Sequence, residues 1–304
     1  MSDAIEQTPM KKGLSGTALR VVTVLPLIPL ILWMMFGGPD WLWPAFVLLA
    51  IAIGGYELMG MKVPSSRALR AWGSISSVIF GYAVIFVHDA SVLYAAVWII
   101  ILGAMAWSLL QEDPLHDASV RIGWLLGTPI YVGGTLSAVA MVREFDPTGA
   151  WVLLTMVLAW GSDTSAYFVG RKFGTTKLAP RISPKKTLEG SAGGLAAAVV
   201  GAVIMSAFLP GMTILDAIAL GILGGAAGQA GDLMVSVLKR SSGVKDSGGI
   251  LPGHGGILDR VDALAFTAPA TWAYGHFILC LLYTSDAADE HRDVGGGGVG
   301  GGGG

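Results

Sequence analysis

Charged residues are scarce in this sequence, and cysteine is almost absent. Only 13% of the 304 residues are Asp, Glu, Lys or Arg, whereas a soluble domain usually carries about 25%. The single cysteine, Cys280, excludes an intrachain disulfide and any Cys-rich zinc or iron–sulfur site. Apolar sequence is abundant instead: 53% of the residues are hydrophobic, the mean hydropathy is +0.66, and this content is spread over the whole length. The composition predicts an all-α polytopic membrane protein rather than a soluble domain with one anchor.

Nine apolar runs are long enough to cross a bilayer, which takes about 17–25 residues. Their approximate limits are 19–37, 41–61, 71–88, 91–110, 122–142, 150–170, 190–209, 214–238 and 260–282. The first two runs could instead form a tight re-entrant hairpin around Gly37-Gly38-Pro39. Nine transmembrane helices are the preferred interpretation.

The basic residues predict the orientation of these spans. If the N-terminus is cytoplasmic, every Lys and Arg of the 19 in the chain falls on the cytoplasmic side except Arg143 and Arg292. The positive-inside rule rarely separates the two sides so cleanly. We therefore expect a cytoplasmic N-terminus, with the polar loops 171–189 and 239–258 also facing the cytoplasm.

The chain divides into three predicted regions. Residues 1–150 form an N-terminal transmembrane region of about five helices, and residues 151–282 form a C-terminal catalytic transmembrane region. Residues 283–304 are abruptly polar and then almost pure glycine, so they are interpreted as a non-native or disordered tail and excluded from the fold.

Glycines four residues apart recur in the C-terminal region. The pairs are Gly190 with Gly194, Gly221 with Gly225, and Gly224 with Gly228. Small residues at this spacing let helix backbones approach closely. Plain helix packing is one interpretation, and the shaping of a cavity near Asp232 is the other.

The segment from Ser236 to Asp262, SVLKRSSGVKDSGGILPGHGGILDRVD, carries the strongest functional signal. It places basic and acidic side chains around six glycines in a protein that is otherwise mostly apolar. Charge is costly near lipid, so such a cluster indicates a functional site. Basic groups, carboxylates and bare backbone together suit phosphates held with a divalent metal ion. The segment therefore predicts phosphoryl or nucleotidyl chemistry at a membrane surface.

Four aspartates lie inside or at the ends of predicted spans, namely Asp163, Asp232, Asp259 and Asp262. A carboxylate there must meet a cation, a basic side chain or water. Asp259 and Asp262 are three residues apart and share a helix face. Asp232 and Asp259, converging from separate helices below the basic loop, would make an oxygen-ligand site for Mg²⁺. Buried salt bridges to Lys239 or Arg260 are the alternative.

Two further groups are candidates for binding anions. His254 is flanked by glycines, so imidazole and accessible backbone amides are expected to cradle phosphate there. The run from Lys177 to Gly190, KLAPRISPKKTLEG, offers basic groups and the Ser183 hydroxyl to a headgroup or a triphosphate. Thr187 and Glu189 precede an apolar run, so part of this motif is also explained as a helix start.

The pattern from Ser236 to Asp262, S-x-x-K-R-x4-K-D-x-G-x2-L-P-x-H-G-G-x-L-D-R-x-D, resembles the signature of the phosphatidate cytidylyltransferases, also called CDP-diacylglycerol synthases. The segments Ser162–Gly174 and Leu178–Gly190 are similar to that family too. The resemblance is dense over about residues 155–280. Before that it rests on hydropathy and on Glu57 in the second run.

The resemblance implies a bacterial inner-membrane enzyme that makes CDP-diacylglycerol and pyrophosphate from CTP and phosphatidate. It also implies a homodimer with no nucleic-acid partner, and Mg²⁺ as cofactor with a second cation such as K⁺ alongside. The implied metal ligands are Asp232 and Asp259, with Asp163 as a helper. The implied catalytic residues are Asp232, Asp259, Lys239, Asp246 and His254. The resemblance further implies a polar surround of Lys239, Arg240, Lys245, Asp246, His254, Arg260 and Asp262. The predicted substrate-binding residues are Lys239, Arg240, Lys245 and Arg260 of this set, with Arg181, Ser183, Lys185 and Lys186 added from the run Lys177–Gly190.

Other functions could use some of the same residues. Related enzymes acting on another lipid, such as a CDP-archaeol synthase or a CTP-dependent polyprenol kinase, share the chemistry. A CDP-alcohol phosphotransferase is disfavoured because no D-G-x2-A-R-x8-G-x3-D-x3-D run occurs. A transporter with a cation site would suit the acids within the spans, yet it would leave the basic glycine-rich loop without a role.

Overall fold

The computed structural model describes Leu25 and residues 27–87, 89–110, 115–250 and 255–279. The helices are α1 (Leu27–Phe36), α2 (Leu42–Lys62), α3 (Arg67–Phe86), α4 (Ala90–Leu109), α5 (Ala118–Phe145), α6 (Ala150–Phe173), α7 (Leu188–Ser206), α8 (Ile214–Ser241), α9 (Leu258–Val261) and α10 (Leu264–Tyr274). Two short strands, β1 (Lys177–Ala179) and β2 (Ser183–Thr187), form an antiparallel hairpin between α6 and α7. The predicted all-α membrane architecture is confirmed.

Seven helices, α2 to α8, are long and apolar enough to cross a membrane. They coincide with the second to eighth of the nine predicted runs. The first run contains α1, only ten residues long, and the start of that run lies outside the described residues. The ninth run contains α9 and α10 and continues as a π-helical turn to Leu279, after which the chain is again outside the described residues. The count of nine spans and the cytoplasmic N-terminus therefore stay predictions, and the glycine-rich tail lies outside the described residues.

Side-chain caps fix where several helices begin. The Ser66 hydroxyl accepts a hydrogen bond from the Leu69 amide at the start of α3. At the start of α8, Thr213 and Asp216 form a reciprocal capping box. Thr187 accepts from the Gly190 amide at 3.1 Å and begins α7. These caps satisfy amides that have no partner within the helix, and the predicted helix start at Thr187 is confirmed.

Two helices contain π-helical turns next to polar positions. In α5 the turn covers Pro129–Gly134, where Pro129 has no amide hydrogen to continue the α-helical ladder. In α6 the turn covers Val157–Gly161 and ends two residues before Asp163. Such insertions are frequent at functional sites.

Close backbone contacts hold the C-terminal helices together. α7 lies between α6 and α8, and α10 packs on α8 and α5. A Cβ at Gly225 would lie 2.7 Å from the Ala198 Cβ, and one at Gly194 would lie 2.7 Å from the Ser162 carbonyl oxygen. These glycines therefore sit where helices touch, which supports the packing interpretation of the paired glycines. The contact of α10 with α5 also links the predicted N-terminal region, residues 1–150, to the predicted C-terminal region, residues 151–282.

Candidate active site

Asp259 is the centre of a hydrogen-bond cluster where α8, the following loop and α9 meet. Its Oδ1 accepts from the Lys239 ammonium at 2.6 Å. Its Oδ2 accepts from the Ser247 amide at 2.8 Å, the Ser247 hydroxyl at 2.9 Å and the Gly256 amide at 3.2 Å. The Lys239 and Asp259 side chains are only 13% and 7% exposed. Asp259 thus holds both described parts of the segment that links α8 to α9, residues 242–250 and 255–257, which we call the signature loop. It also orients Lys239 through the salt bridge that the alternative interpretation anticipated.

Glu57, in the last third of α2, binds the other side of the same loop. It is 2% exposed and accepts from the Ile257 amide at 3.1 Å, the Leu258 amide at 3.0 Å and the Ser247 hydroxyl at 3.3 Å. The first two donors are unpaired amides at the start of α9, where a negative charge is favourable. One acid of the N-terminal region therefore holds the loop of the C-terminal region in place.

Glycines are required where the loop passes Glu57. A Cβ added at Gly248 or at Gly256 would lie 2.5 Å from a Glu57 carboxylate oxygen, closer than a real Cβ approaches. Gly255 has φ of +80°, a left-handed conformation that side-chain-bearing residues rarely adopt. The glycines of the signature thus let the backbone close around two buried carboxylates.

Asp232 is also on α8, seven residues before Lys239. It forms an ion pair with Lys186 from the β-hairpin. These two side chains are 21% and 23% exposed. The Ser236 hydroxyl, one turn along α8, lies 3.5 Å from Asp232 Oδ1. Asp163 and Asp262 are within electrostatic range of Asp232. Asp232 is therefore grouped with Asp163 and Asp262, while Asp259 is already engaged by loop donors and Lys239.

The β-hairpin explains which basic residue of the run Lys177–Gly190 enters the site. Successive side chains of a strand point to opposite faces, so Lys186 reaches Asp232 while Lys185 is exposed. Arg181 is exposed at the turn, and Ser183 pairs with Ala179 across the hairpin. The sequence predicts that all four residues bind the substrate. In the hairpin only Lys186 contacts Asp232.

Glu189 ties the hairpin to α7. It accepts from the Thr175 hydroxyl at 2.6 Å and from the Thr176 amide at 3.1 Å. Thr187, at the end of β2, caps α7 at the same point. Lys186 is thereby carried on a short segment fixed at both ends.

The remaining predicted residues surround the loop. The Arg240 guanidinium donates to the Val244 carbonyl at 3.3 Å and so closes the turn after α8. Lys245 and Asp246 are exposed on the loop. The Arg260 side chain is exposed and within electrostatic range of Asp163. His254 lies outside the described residues.

Two residues of the site were not among the predicted site residues. Glu57 had a usable signal, because an acid in an apolar run needs a partner, but nothing local indicated which partner. Ser247 carried no signal, because a serine in a glycine-rich loop is ordinary. Only the fold shows that the Ser247 hydroxyl lies between the two carboxylates, 3.3 Å from Glu57 and 2.9 Å from Asp259.

The carboxylates of the site are the candidate ligands for a bound cation. Within the described residues, no group of three or more His, Cys, Asp and Glu side chains is close enough to hold a metal ion by itself. The available donors, Asp232 with Asp163 and Asp262 in electrostatic range, are hard carboxylate oxygens. Mg²⁺ usually takes one or two carboxylates and completes its shell with water and substrate phosphates, so these residues fit Mg²⁺.

The fold and the site define a polytopic α-helical membrane protein with a charged, glycine-lined site built from α2, α6, the hairpin, α8 and α9. A model of the cytidylyltransferase family matches residues 18–278. The chain is 32% identical over 266 residues to the phosphatidate cytidylyltransferase of Brucella abortus biovar 1 (strain 9-941), covering 86% of this chain and 94% of that relative. It is 32% identical over 270 residues to the phosphatidate cytidylyltransferase of Pseudomonas aeruginosa, covering 84% and 97% of the two chains.

The phosphatidate cytidylyltransferase of Bacillus subtilis (strain 168) is 41% identical over 165 residues, which cover 53% of this chain and 60% of that relative. The family match extends over most of the chain and includes Glu57 as well as the signature loop. The protein belongs to the cytidylyltransferase family.

Proposed function

We propose that the protein transfers the cytidylyl group of CTP to phosphatidate and releases pyrophosphate, forming CDP-diacylglycerol for phospholipid synthesis. The observation that carries this proposal is the presence of two Lys–Asp pairs on one membrane helix, α8, which contributes Asp232 to one pair and Lys239 to the other, in a chain of the cytidylyltransferase family. A lipid phosphate can reach such a site while its acyl chains stay in the bilayer.

The reaction needs little covalent help from the protein. A phosphatidate oxygen attacks the α-phosphorus of CTP, a new P–O bond forms, and the bond to the pyrophosphate leaving group breaks in line. Because the nucleophile is already anionic, no strong general base is required. Catalysis then consists of positioning and of neutralising charge on the phosphates.

The chain's own side chains supply those two effects. Lys239 is held rigidly by Asp259 and presents a cation beside the loop. Lys186 is positioned by the hairpin and exchanges its contact with Asp232 for a substrate phosphate. Arg240, Lys245 and Arg260 add positive charge around the site, and His254 and Asp246 remain proposed members of it.

Mg²⁺ is the proposed cofactor, held by Asp232 together with Asp163 or Asp259, with a second cation such as K⁺ beside it. When bound, the metal ion would neutralise phosphate charge and help to align the reactants. Asp262 is within electrostatic range of Asp232 and adds to the negative potential there. Asp259 retains capacity at Oδ1, where Lys239 is its only donor among the described residues.

A bacterial inner-membrane location, a cytoplasmic active site and a homodimer complete the proposal. The distribution of Lys and Arg supports the orientation, since the site loops contain most of the basic residues of the C-terminal region. The bacterial relatives support the location, and the family resemblance supports the dimer.

The test is pyrophosphate release by the purified protein in detergent with CTP, phosphatidate and Mg²⁺. We expect release that requires both lipid and metal, with CDP-diacylglycerol identified as co-product by mass spectrometry. Omission of either component serves as the control. Intact, folded protein that releases no pyrophosphate with phosphatidate, but does so with another anionic lipid, would reassign the acceptor.

Replacement of Lys245 by alanine is expected to raise KM for CTP or phosphatidate several-fold with little change in kcat. Its ammonium is exposed on the loop. There it attracts an anionic substrate equally in the ground state and in the transition state, so its loss changes KM rather than kcat. Steady-state kinetics with each substrate varied in turn checks this. Lys62→Ala, an exposed lysine at the end of α2, is the matched control, and an unchanged KM for both substrates would remove Lys245 from the binding site.

A further inference from the structure

An apolar cavity lies against α8 on the side facing α5 and α2. Its volume is about 390 Å³, within the range of roughly 300–1,000 Å³ typical of sites for small molecules. Leu58, Val120, Trp124, Met234 and Leu238 form much of its wall. The lining is mostly apolar, so the cavity suits hydrocarbon better than a nucleotide.

Two glycines on α5 keep the cavity open. Gly123 and Gly127 are one helical turn apart and both line it. A Cβ built at either position would meet no atom within 4 Å. They therefore differ from Gly225, whose missing side chain allows two helices to touch. Nothing in the described packing explains why these two positions carry no side chain.

Two hydroxyl groups of the lining residues have no hydrogen-bond partner in the part of the chain that the structure describes. Thr128 is 1% exposed, and its Oγ1, like the Tyr131 hydroxyl, is buried without a hydrogen-bond partner among the described residues. A buried polar group without a partner is costly. Both residues lie at the π-helical turn of α5, a distortion often found at functional sites. An occupant with acceptor atoms at this end of the cavity would satisfy both groups.

The cavity reaches the charged site at the same end. The Tyr131 hydroxyl is within electrostatic range of Asp262, and its ring packs against Phe266 one turn further along. The opposite rim is lateral, because Val120 and Met234 are 45% and 41% exposed on helices that cross the membrane. A molecule in the cavity would thus extend from the acids towards the lipid.

We propose that this cavity binds one acyl chain of the lipid substrate, and that Tyr131 and Thr128 donate hydrogen bonds to the ester carbonyl oxygen of that chain. The inference rests on the proposed function, which supplies a substrate with a phosphate, an ester and a hydrocarbon chain in that order. The charged site, the two hydroxyls and the apolar cavity follow the same order. Gly123 and Gly127 then determine how much chain is accommodated.

The first test fills the cavity. In Gly127→Leu and Gly123→Leu the added Cβ meets no atom within 4 Å, so the new side chain starts in open space. We expect KM for dioleoyl phosphatidate to rise on the order of tenfold, because a couple of buried methylenes are displaced, while KM for CTP and for dihexanoyl phosphatidate stays unchanged. Ala95→Leu, at an exposed alanine on α4, is the matched control.

Each outcome of this test has one meaning. Wild-type protein without CDP-diacylglycerol formation would overturn the proposed function itself. An active wild type whose leucine variants keep the same preference for chain length would overturn the acyl-chain site alone. A change of oligomeric mass in Gly127→Leu, measured by light scattering, with unchanged preference would also overturn it and would assign the cavity to contact with a second copy.

The second test addresses the hydroxyl groups. Wild type is expected to show a KM about fivefold lower for diester phosphatidate than for the dialkyl ether analogue, the effect of about one hydrogen bond. Tyr131→Phe should lose much of this preference, and Thr128→Val combined with it should abolish the rest. Tyr94→Phe, an exposed tyrosine on α4, is the control. Retention of the full ester preference in the double variant would overturn the assignment of these hydroxyls.

Discussion

Replacement of Asp232 by asparagine is expected to lower kcat on the order of 10²- to 10³-fold while the protein stays folded in the membrane. The carboxylate is partly exposed, pairs with Lys186 and lies within electrostatic range of Asp163 and Asp262. Asparagine keeps the shape but removes the charge that fixes Lys186 and that is proposed to bind Mg²⁺. Losses of this size are usual when one preorganised electrostatic group is removed from an active site. Turnover with CTP and phosphatidate measures the effect.

A comparison with Asp259→Asn separates catalysis from loop folding. Asp259 accepts four hydrogen bonds from Lys239, Ser247 and Gly256. Its replacement should therefore lower both turnover and the melting temperature in detergent, whereas Asp232→Asn should lower turnover alone. Asp117→Asn, with a side chain 60% exposed, is the matched control. Near-normal turnover of Asp232→Asn would remove this acid from the catalytic site.

Glu57→Gln is expected to lower turnover indirectly, because Glu57 holds the signature loop in place. The amide keeps one acceptor oxygen but turns its NH₂ group towards donors from Ser247, Ile257 or Leu258. A buried donor left unpaired costs about 1–3 kcal/mol, and the loop that leads into α9, the helix of Lys239's partner Asp259, loses its anchor. We expect a lower melting temperature and at least a tenfold loss of kcat.

The control for this variant is Glu144→Gln, at an exposed glutamate near the end of α5, which should behave as wild type. Glu57→Asp provides a partial rescue, since the shorter carboxylate retains the charge and part of the acceptor set. A Glu57→Gln protein with wild-type turnover and stability would show that the loop holds its conformation without this contact.

The sequence predicts the parts of the fold that depend on neighbouring residues. Seven of the predicted spans coincide with described helices, because a run of apolar residues of that length is sufficient to indicate a span. The start of α7 at Thr187 follows from local capping chemistry. The signature segment identified Lys239 and Asp259, which the structure joins directly.

Other parts depend on contacts between distant segments. Glu57 lies 190 residues from Ser247, so no local pattern connects them. The region of Lys185 and Lys186 was interpreted as a polar loop, and only the hairpin register assigns opposite directions to the two side chains. The sequence likewise does not determine the partners of Asp232 and Asp259, which are Lys186 and Lys239 in the structure. Helix periodicity predicts which side of a helix a residue lies on, but not which neighbouring element that side contacts.

The bond between Glu57 and the loop has a consequence for biosynthesis. A ribosome delivers α2 to the membrane 190 residues before it reaches Ser247, so the glutamate enters the bilayer long before its three donors exist. Until then its carboxylate must be protonated, hydrated or shielded by neighbouring helices. A chain interrupted before Ser247 can neither complete the loop nor neutralise this acid. The substrate site and the relief of a buried charge therefore arise in the same step, when the loop after α8 and the start of α9 dock against α2.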